Sequence, residues 1–393
     1  MKIPAHILPV IVISQFCCTS LWFAGNGVMA ELIGHYRLEP TALGHLTSAV
    51  QLGFISGTLL FAIFTVADRF SPSRVFFGCA LLGSLFNLGV LLEGNTLWSL
   101  AGLRFLTGFF LAGIYPVGMK IAADYFEKGL GKSLGLLVGA LVLGTALPHL
   151  LRGFSMGIPW TMVLWFTTFL ALLGGVLMLR LVPDGPYRKA SATVEFSAFF
   201  NVFKNPGFRS AAFGYFGHMW ELYAFWAFVP VMLGTYGEID SSFDLNVSLF
   251  SFAVIGIGGP ACALSGYLSE FFGARRTAAF ALGVSCAACL LSPLVFMAAS
   301  KALFVGFLLV WGVNVVADSP LFSTLVANNA RYEAKGTALT IVNCIGFSIT
   351  IGSIQLLNFL REVMNPQYIY IFLALGPILG LLALRGKKGI RKQ

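Results

Sequence analysis

The sequence predicts an all-α integral membrane protein of twelve transmembrane helices arranged as two six-helix bundles. Three observations carry that expectation. Of 393 residues, 58% are apolar and only 10% are charged, whereas a soluble domain needs about a quarter charged residues to cover its surface. Twelve apolar runs follow one another, each long enough for the ~30 Å hydrocarbon layer of a bilayer. A pattern of glycine, acid and arginine after the second run recurs after the eighth. The 44 glycines and 38 phenylalanines agree, since Gly lets membrane helices approach closely and Phe is inexpensive to expose to lipid.

The runs, taken in order as spans 1 to 12, occupy 7–30, 41–66, 73–94, 97–121, 131–153, 158–182, 208–234, 246–269, 276–298, 301–327, 334–360 and 367–385. Span 1 follows Met1 and Lys2 as a secretion signal would. It continues past Gly25 without a small-residue cleavage site, so it is read as an uncleaved first helix. Short polar breaks separate the runs. The long break is 183–207, which opens PDGPYRKASATVEF and ends in Asn205, Pro206 and Gly207. It divides the chain into an N-terminal bundle over 1–182, a cytoplasmic linker over 183–207, and a C-terminal bundle with a basic tail over 208–393.

Orientation follows from Lys and Arg, which gather in cytoplasmic loops. With the N-terminus inside, 20 of the 25 lie on cytoplasmic segments. Arg37, Arg152, Lys301 and Arg361 lie on the other side, and Arg104 lies within a span. Both termini are therefore expected in the cytoplasm of a multi-pass protein of the inner or plasma membrane. The net charge of +9 is scattered singly between apolar runs, which argues against nucleic acid as a partner. The seven cysteines all fall inside apolar runs and read as small packing residues.

Gly57, Asp68 and Arg74 are matched by Gly259, Glu270 and Arg276 at a constant offset of 202, a parallel repeat of two halves. Here the sequence resembles the major facilitator superfamily, whose loop signature after helices 2 and 8 has the form G-x-x-x-D-R-x-G-R-R/K. The first copy reads FTVADRFSPSR and keeps Asp68, Arg69 and Arg74. The second reads GYLSEFFGARR and keeps Gly266, Glu270, Gly273, Arg275 and Arg276. Arg104 and Gly108 resemble the helix-4 motif. The antiporter signature of helix 5 is not reproduced. The resemblance implies a twelve-helix secondary transporter whose loop charges gate the cytoplasmic side, with Asp124 as the acid at the end of helix 4 and Glu333 as its counterpart. It also implies a central cavity lined by helices 1, 4, 7 and 10.

An ionisable residue within a span costs about 2.5–3.5 kcal/mol, so it needs a reason. Arg104, Glu221 and Asp318 stand out, with His149 and His218. Gln15, Thr19, Trp22 and Asn26 form one stripe on span 1. Tyr215, His218 and Glu221 share a face of span 7, and Asn314 and Asp318 lie one turn apart on span 10. These are the expected substrate and proton sites. Glu221 and Asp318 are carboxylates in a low-dielectric cavity, suited to reversible proton binding, with His218 sharing the proton. Arg104 is expected to hold an anionic group or to counter an acid. Each has a plainer reading: Asn26 as an interhelical hydrogen-bonder, His149 as a partner for groups freed by Pro148, Arg104 as a brace, Arg152 as a snorkelling residue.

No phosphate-binding G-x-x-x-x-G-K-[ST], no H-E-x-x-H and no G-x-S-x-G occurs, so neither ATP nor a catalytic centre is expected. The reading is a non-enzymatic, monomeric secondary transporter without cofactor or metal, moving a small solute with H⁺ through the lipid bilayer. A facilitative uniporter and a non-transporting receptor or assembly factor are the alternatives.

Overall fold

In a bilayer every backbone polar group needs an internal partner, which restricts an apolar chain of this kind to helices. The computed structural model describes residues 3–126, 130–154, 159–188, 202–239, 246–298, 300–330 and 335–385, and these are mostly helical, with no strand among them. Glu333, residues 189–201 of the linker, and the basic tail beyond Arg385 lie outside the described residues. Eight helices among those described are long and apolar enough to cross a membrane, and they are spans 2, 4, 5, 6, 8, 9, 10 and 11. Spans 1, 3, 7 and 12 complete the twelve with helices that are shorter or more polar: Ile7–Thr19, Pro72–Gly89, Pro206–Ile239 and Leu375–Arg385.

Helix starts follow local chemistry. Thr96 and Ser99 form a reciprocal capping box at Leu97, and Asn246 Oδ1 accepts from Leu249 N at 3.1 Å to start span 8. Each such cap satisfies an N–H that lacks an intrahelical partner.

The two halves repeat in space as they do in sequence. Gly108 and Gly312 lie 204 residues apart. A Cβ on Gly108 would overlap the carbonyl of Val50, and one on Gly312 would overlap that of Val254. Spans 2 and 4, and again 8 and 10, thus approach backbone to backbone. Spans 4 and 10 are also broken alike. Span 4 runs Leu97–Leu111 and Tyr115–Tyr125, with Pro116 in the second first turn. Span 10 runs Lys301–Ala317 and Ser319–Asn329, with Pro320 in the same place. A proline lacks the N–H that would carry a helix through, so each marks a restart.

Spans 1 and 7 depart from the repeat. Span 7 is one helix of 34 residues. Span 1 stops at Thr19, turns through Ser20–Gly25, and resumes as Asn26–Val28 and Met29–Tyr36. The expected continuous helix over 7–30 is therefore interrupted at its centre.

Candidate functional site

Two adjacent cavities lie between the halves. The larger, of about 450 Å³, is walled by spans 4, 5, 7, 10 and 11 through residues such as Tyr115, Val138, Tyr215, Tyr223, Trp226, Ser319, Asn328, Asn343 and Phe347. The second, of about 420 Å³, is walled by Thr58, Asp68, Lys120 and Thr340 among others, and shares Met119, Leu134, Leu339 and Asn343 with the first. The space therefore extends toward the ends of spans 2 and 4 that carry Asp68 and Lys120. Span 1 adds no residue to the larger wall, where the family resemblance implied that it would; spans 5 and 11 take that place.

At the opposite end the halves meet. Gln355 Nε2 donates to Ser48 Oγ at 2.8 Å, Asn358 Nδ2 to the Thr41 carbonyl at 3.1 Å, and Asn246 Nδ2 to the Gly153 carbonyl at 3.0 Å. Between this seam and the cavity lies an aromatic floor. The Trp22 ring lies 4.7 Å from Phe54 and 5.7 Å from both Tyr223 and Phe347. Such separations suit stacked and tilted rings.

Behind the wall, His218 Nδ1 stands 2.8 Å from Asp318 Oδ1, and each side chain is 1% exposed. The contact joins span 7 to the break in span 10, where Ser319 and Pro320 already belong to the cavity wall. His218 Nε2 and Asp318 Oδ2 find no partner among the described residues. Sequence spacing placed Asp318 near Asn314 instead. Asn314 turns away and donates to its own helix at Val310, 2.9 Å off.

Glu221 does not share this pair. Its Oε2 accepts from Ser285 Oγ at 2.7 Å, and its Oε1 from Trp311 Nε1 at 2.5 Å and Cys289 Sγ at 3.3 Å. The carboxylate binds spans 7, 9 and 10 together inside the C-terminal bundle. Neither Glu221 nor Asp318 lines the cavity, contrary to expectation, because one residue of rotation on span 7 presents Tyr215, Met219 and Leu222 instead. Cys289, read from sequence as a packing residue, is a donor here.

Arg104 is spent on span 1. Its Nη1 and Nη2 each lie 3.2 Å from the Leu21 carbonyl, Nη2 also donates to Trp22 O, and Nη1 lies 3.4 Å from Asn87 Oδ1. These carbonyls lost their helical donors where span 1 breaks, so the guanidinium fork replaces them. Among the described residues Arg104 meets no acid and lines neither cavity, and its contacts are those of a brace.

The remaining predicted residues are placed as follows. Asn26 Nδ2 donates to Thr47 Oγ1 at 2.8 Å, tying spans 1 and 2. Gln15 is buried beside Gly118, and neither end of its amide has a partner among the described residues. His149 is buried on span 5, and its Nε2 has no partner among the described residues. Tyr215 lines the larger cavity. Arg152 pairs with Glu31 at 2.5 Å rather than snorkelling.

In the first loop copy Asp68 pairs with Lys120 at 3.0 Å, and Asp124 with the same Lys120 at 3.4 Å. Arg69 donates to Thr65 Oγ1 at 3.2 Å, and Arg74 is exposed. Lys120, not the signature arginines, therefore reaches the acid of span 4. Arg188, at the start of the linker, donates to the carbonyls of Asp68 and Phe70 at 2.9 and 2.8 Å. In the second copy Glu270 and Arg276 are exposed, and Arg275 makes the contacts, to Ser210 Oγ at 3.3 Å and to the Leu384 carbonyl.

Among the described residues the larger wall holds no Asp, Glu, Lys, Arg or His. Three tyrosines, Trp226 and Phe347 stand beside Ser319, Ser323, Thr324, Asn328 and Asn343. The sequence-based expectation puts both signs of charge there and does not single out Trp226 or Phe347: Trp226 lies within an aromatic-rich span 7, and Phe347 is one apolar residue among many on span 11.

The profile described as Major Facilitator Superfamily matches residues 11–353. No curated protein matches by sequence. Three solved structures are similar. The nucleoside transporter NupG gives a TM-score of 0.73 at 15% identity, over 96% of this chain and 98% of that one. A bacterial homolog of the human lysosomal transporter Spinster gives 0.67 at 14%, over 97% and 94%. The human organic anion transporter MFSD10 (TETRAN) gives 0.77 at 14%, over 98% and 100%. At such identities the likeness is one of fold.

Proposed function

The chain belongs to the major facilitator superfamily, and on that premise we propose that it is a proton-coupled secondary transporter that moves a small solute by alternating access. The observation that carries the coupling is the His218–Asp318 contact of 2.8 Å. It sits one residue behind the cavity wall, at the point where span 10 restarts at Ser319. A proton held between these groups decides whether spans 7 and 10 are clamped by an ion pair. A solute at Tyr215 or Ser319 feels that change directly. The groups around the pair are the Tyr215 and Phe322 rings, 5.9 and 6.0 Å from His218, and the Cys262 thiol, which donates to the Val316 carbonyl at 3.4 Å.

In this reading residues 1–182 and 208–393 rock as two units joined by 183–207. The protein sits in the inner or plasma membrane with both termini in the cytoplasm. The open cavity then faces the cytoplasm, and the Ser48–Gln355 seam closes the outside.

The test uses reconstituted full-length protein and the solute that most stabilises it in a metabolite screen, where a ligand at a hundred times its Kd adds about 2.7 kcal/mol. Asp318→Asn and His218→Gln should abolish accumulation driven by a pH gradient while leaving solute counterflow intact. Undiminished accumulation in both variants sends the coupling site elsewhere; wild-type accumulation that ignores the pH gradient makes the protein a uniporter.

A further inference from the structure

The cavity itself carries information about what fills it. A charged solute brought against its wall would leave water without meeting a counter-charge, which is costly in a low-dielectric site. The ionisable groups nearest the wall are already committed, beginning with His218 and Asp318, which face each other at 2.8 Å behind it. Arg104 is committed to the carbonyls of Leu21 and Trp22, Lys120 to Asp68 and Asp124, and Glu221 to its three donors.

What the wall does offer is aromatic. Tyr223 lies 5.2 Å from Phe347 with the rings tilted by 50°, and 5.2 Å from Trp226 edge to face, so ring faces and ring edges both border the space. Trp226 is fully buried, lines the cavity, and has an indole Nε1–H without an acceptor among the described residues. A buried donor left unmet is destabilising, and an acceptor on a bound molecule would relieve it. Asn343 borders both cavities and presents a donor and an acceptor on one amide, as the edge of a heterocycle does. The volume of about 450 Å³ falls in the range of roughly 300–1,000 Å³ typical of small-molecule sites.

We propose that the cavity takes an uncharged, planar aromatic or heteroaromatic solute, packed against the lining surfaces of Tyr223, Trp226 and Phe347 and read by the Trp226 Nε1–H and the Asn343 amide. The proposal rests on the transporter reading above and specifies its substrate class. Aromatic packing supplies affinity that tolerates variation in the ring, while the unmet indole donor selects for a ring-edge acceptor. Apolar walls around a few fixed polar groups are the usual way such sites combine the two.

The experiment is a binding measurement on purified full-length protein in detergent at a single pH, read by thermal shift and by tryptophan fluorescence. The probes are adenosine and caffeine as flat neutral heterocycles, benzoate as an anion, tetraphenylphosphonium as a cation, and glucose as a neutral solute without an aromatic ring. At least one of the two heterocycles should raise the melting temperature saturably and quench fluorescence, and the other three should not. Trp226→Phe keeps the ring and removes the donor, and should weaken binding about tenfold, the value of one hydrogen bond. Asn343→Leu, at the cavity edge, should do the same without disturbing the bundle. No shift with either heterocycle overturns the proposal. So does a shift with benzoate, tetraphenylphosphonium or glucose alone, or unchanged affinity in both variants. Because no gradient is imposed, loss of proton coupling leaves this result standing, and absence of binding leaves the coupling test unaffected.

Discussion

Both terminal nitrogens of Arg104 lie 3.2 Å from the carbonyl oxygen of Leu21, across the gap between spans 4 and 1. This contact explains an asymmetry between two halves that otherwise repeat. The residue 204 positions on from Arg104 is Leu308, and span 7, the counterpart of span 1, is unbroken. An arginine at this position and a break in the first helix occur together in one half, and the other half has neither an arginine there nor a break in its first helix. The break is what brings Trp22 into the aromatic floor beneath the cavity. An arginine inside the membrane thus serves the site by shaping a helix.

Replacing the fork should accordingly cost stability before it costs specificity. Arg104→Met leaves the carbonyls of Leu21 and Trp22 without donors, and hydrogen bonds to a charged group are worth about 1.5–3 kcal/mol each. A loss of about 3 kcal/mol is expected, seen as a lower melting temperature in detergent. Arg104→Lys should recover little of it, since one ammonium cannot reproduce a planar fork aimed at several carbonyls. Melting of the Met variant at the wild-type temperature would show that span 1 holds its break unaided.

Glu221 separates structure from coupling. Its two oxygens accept from Ser285, Cys289 and Trp311, so Glu221→Gln turns an NH₂ toward groups that are themselves donors. We expect a destabilisation of about 2–4 kcal/mol, with accumulation driven by a pH gradient retained in the protein that survives. The reverse result, normal stability with coupling lost, makes Glu221 the proton site in place of His218 and Asp318. The measurement pairs thermal unfolding with proteoliposome uptake.

These two residues also mark how far the sequence could be read. Hydropathy located all twelve spans, because a bilayer requires length and apolarity and both are local properties. The breaks in spans 4 and 10 had a local cue, Pro116 and Pro320 at the same offset of 204, but the break in span 1 had none. The partner of Arg104 is main chain, which every sequence supplies and none advertises. His218 and Glu221 share a helical face at spacing three, yet they turn to different neighbours, Asp318 on span 10 and Ser285 on span 9. A stripe on one helix does not say which packed helix each member meets. For the same reason the cavity's charge was misread: buried ionisable residues were assigned to the cavity, whereas bundle interiors hold them as well.

The last prediction concerns the seam that must open if the halves rock. Gln355 Nε2 and Ser48 Oγ are 2.8 Å apart, and Asn358 reaches the Thr41 carbonyl nearby at 3.1 Å. Neutral hydrogen bonds of this kind contribute only about 0.5–1.5 kcal/mol each. A seam tied in this way can part within an ordinary transport cycle, whereas buried ion pairs there would hold it shut. Introducing Ser48→Cys and Gln355→Cys together places two thiols across the seam, and all seven native cysteines are buried. A short thiol cross-linker should therefore react there selectively. Cross-linked protein should still bind solute from the open end but should show no turnover in proteoliposomes, and a reductively cleavable linker should restore it. Persistent turnover in the cross-linked protein would mean that spans 2 and 11 stay together throughout the cycle. The moving parts would then have to be the segments after Pro116 and Pro320, which border the cavity from either half.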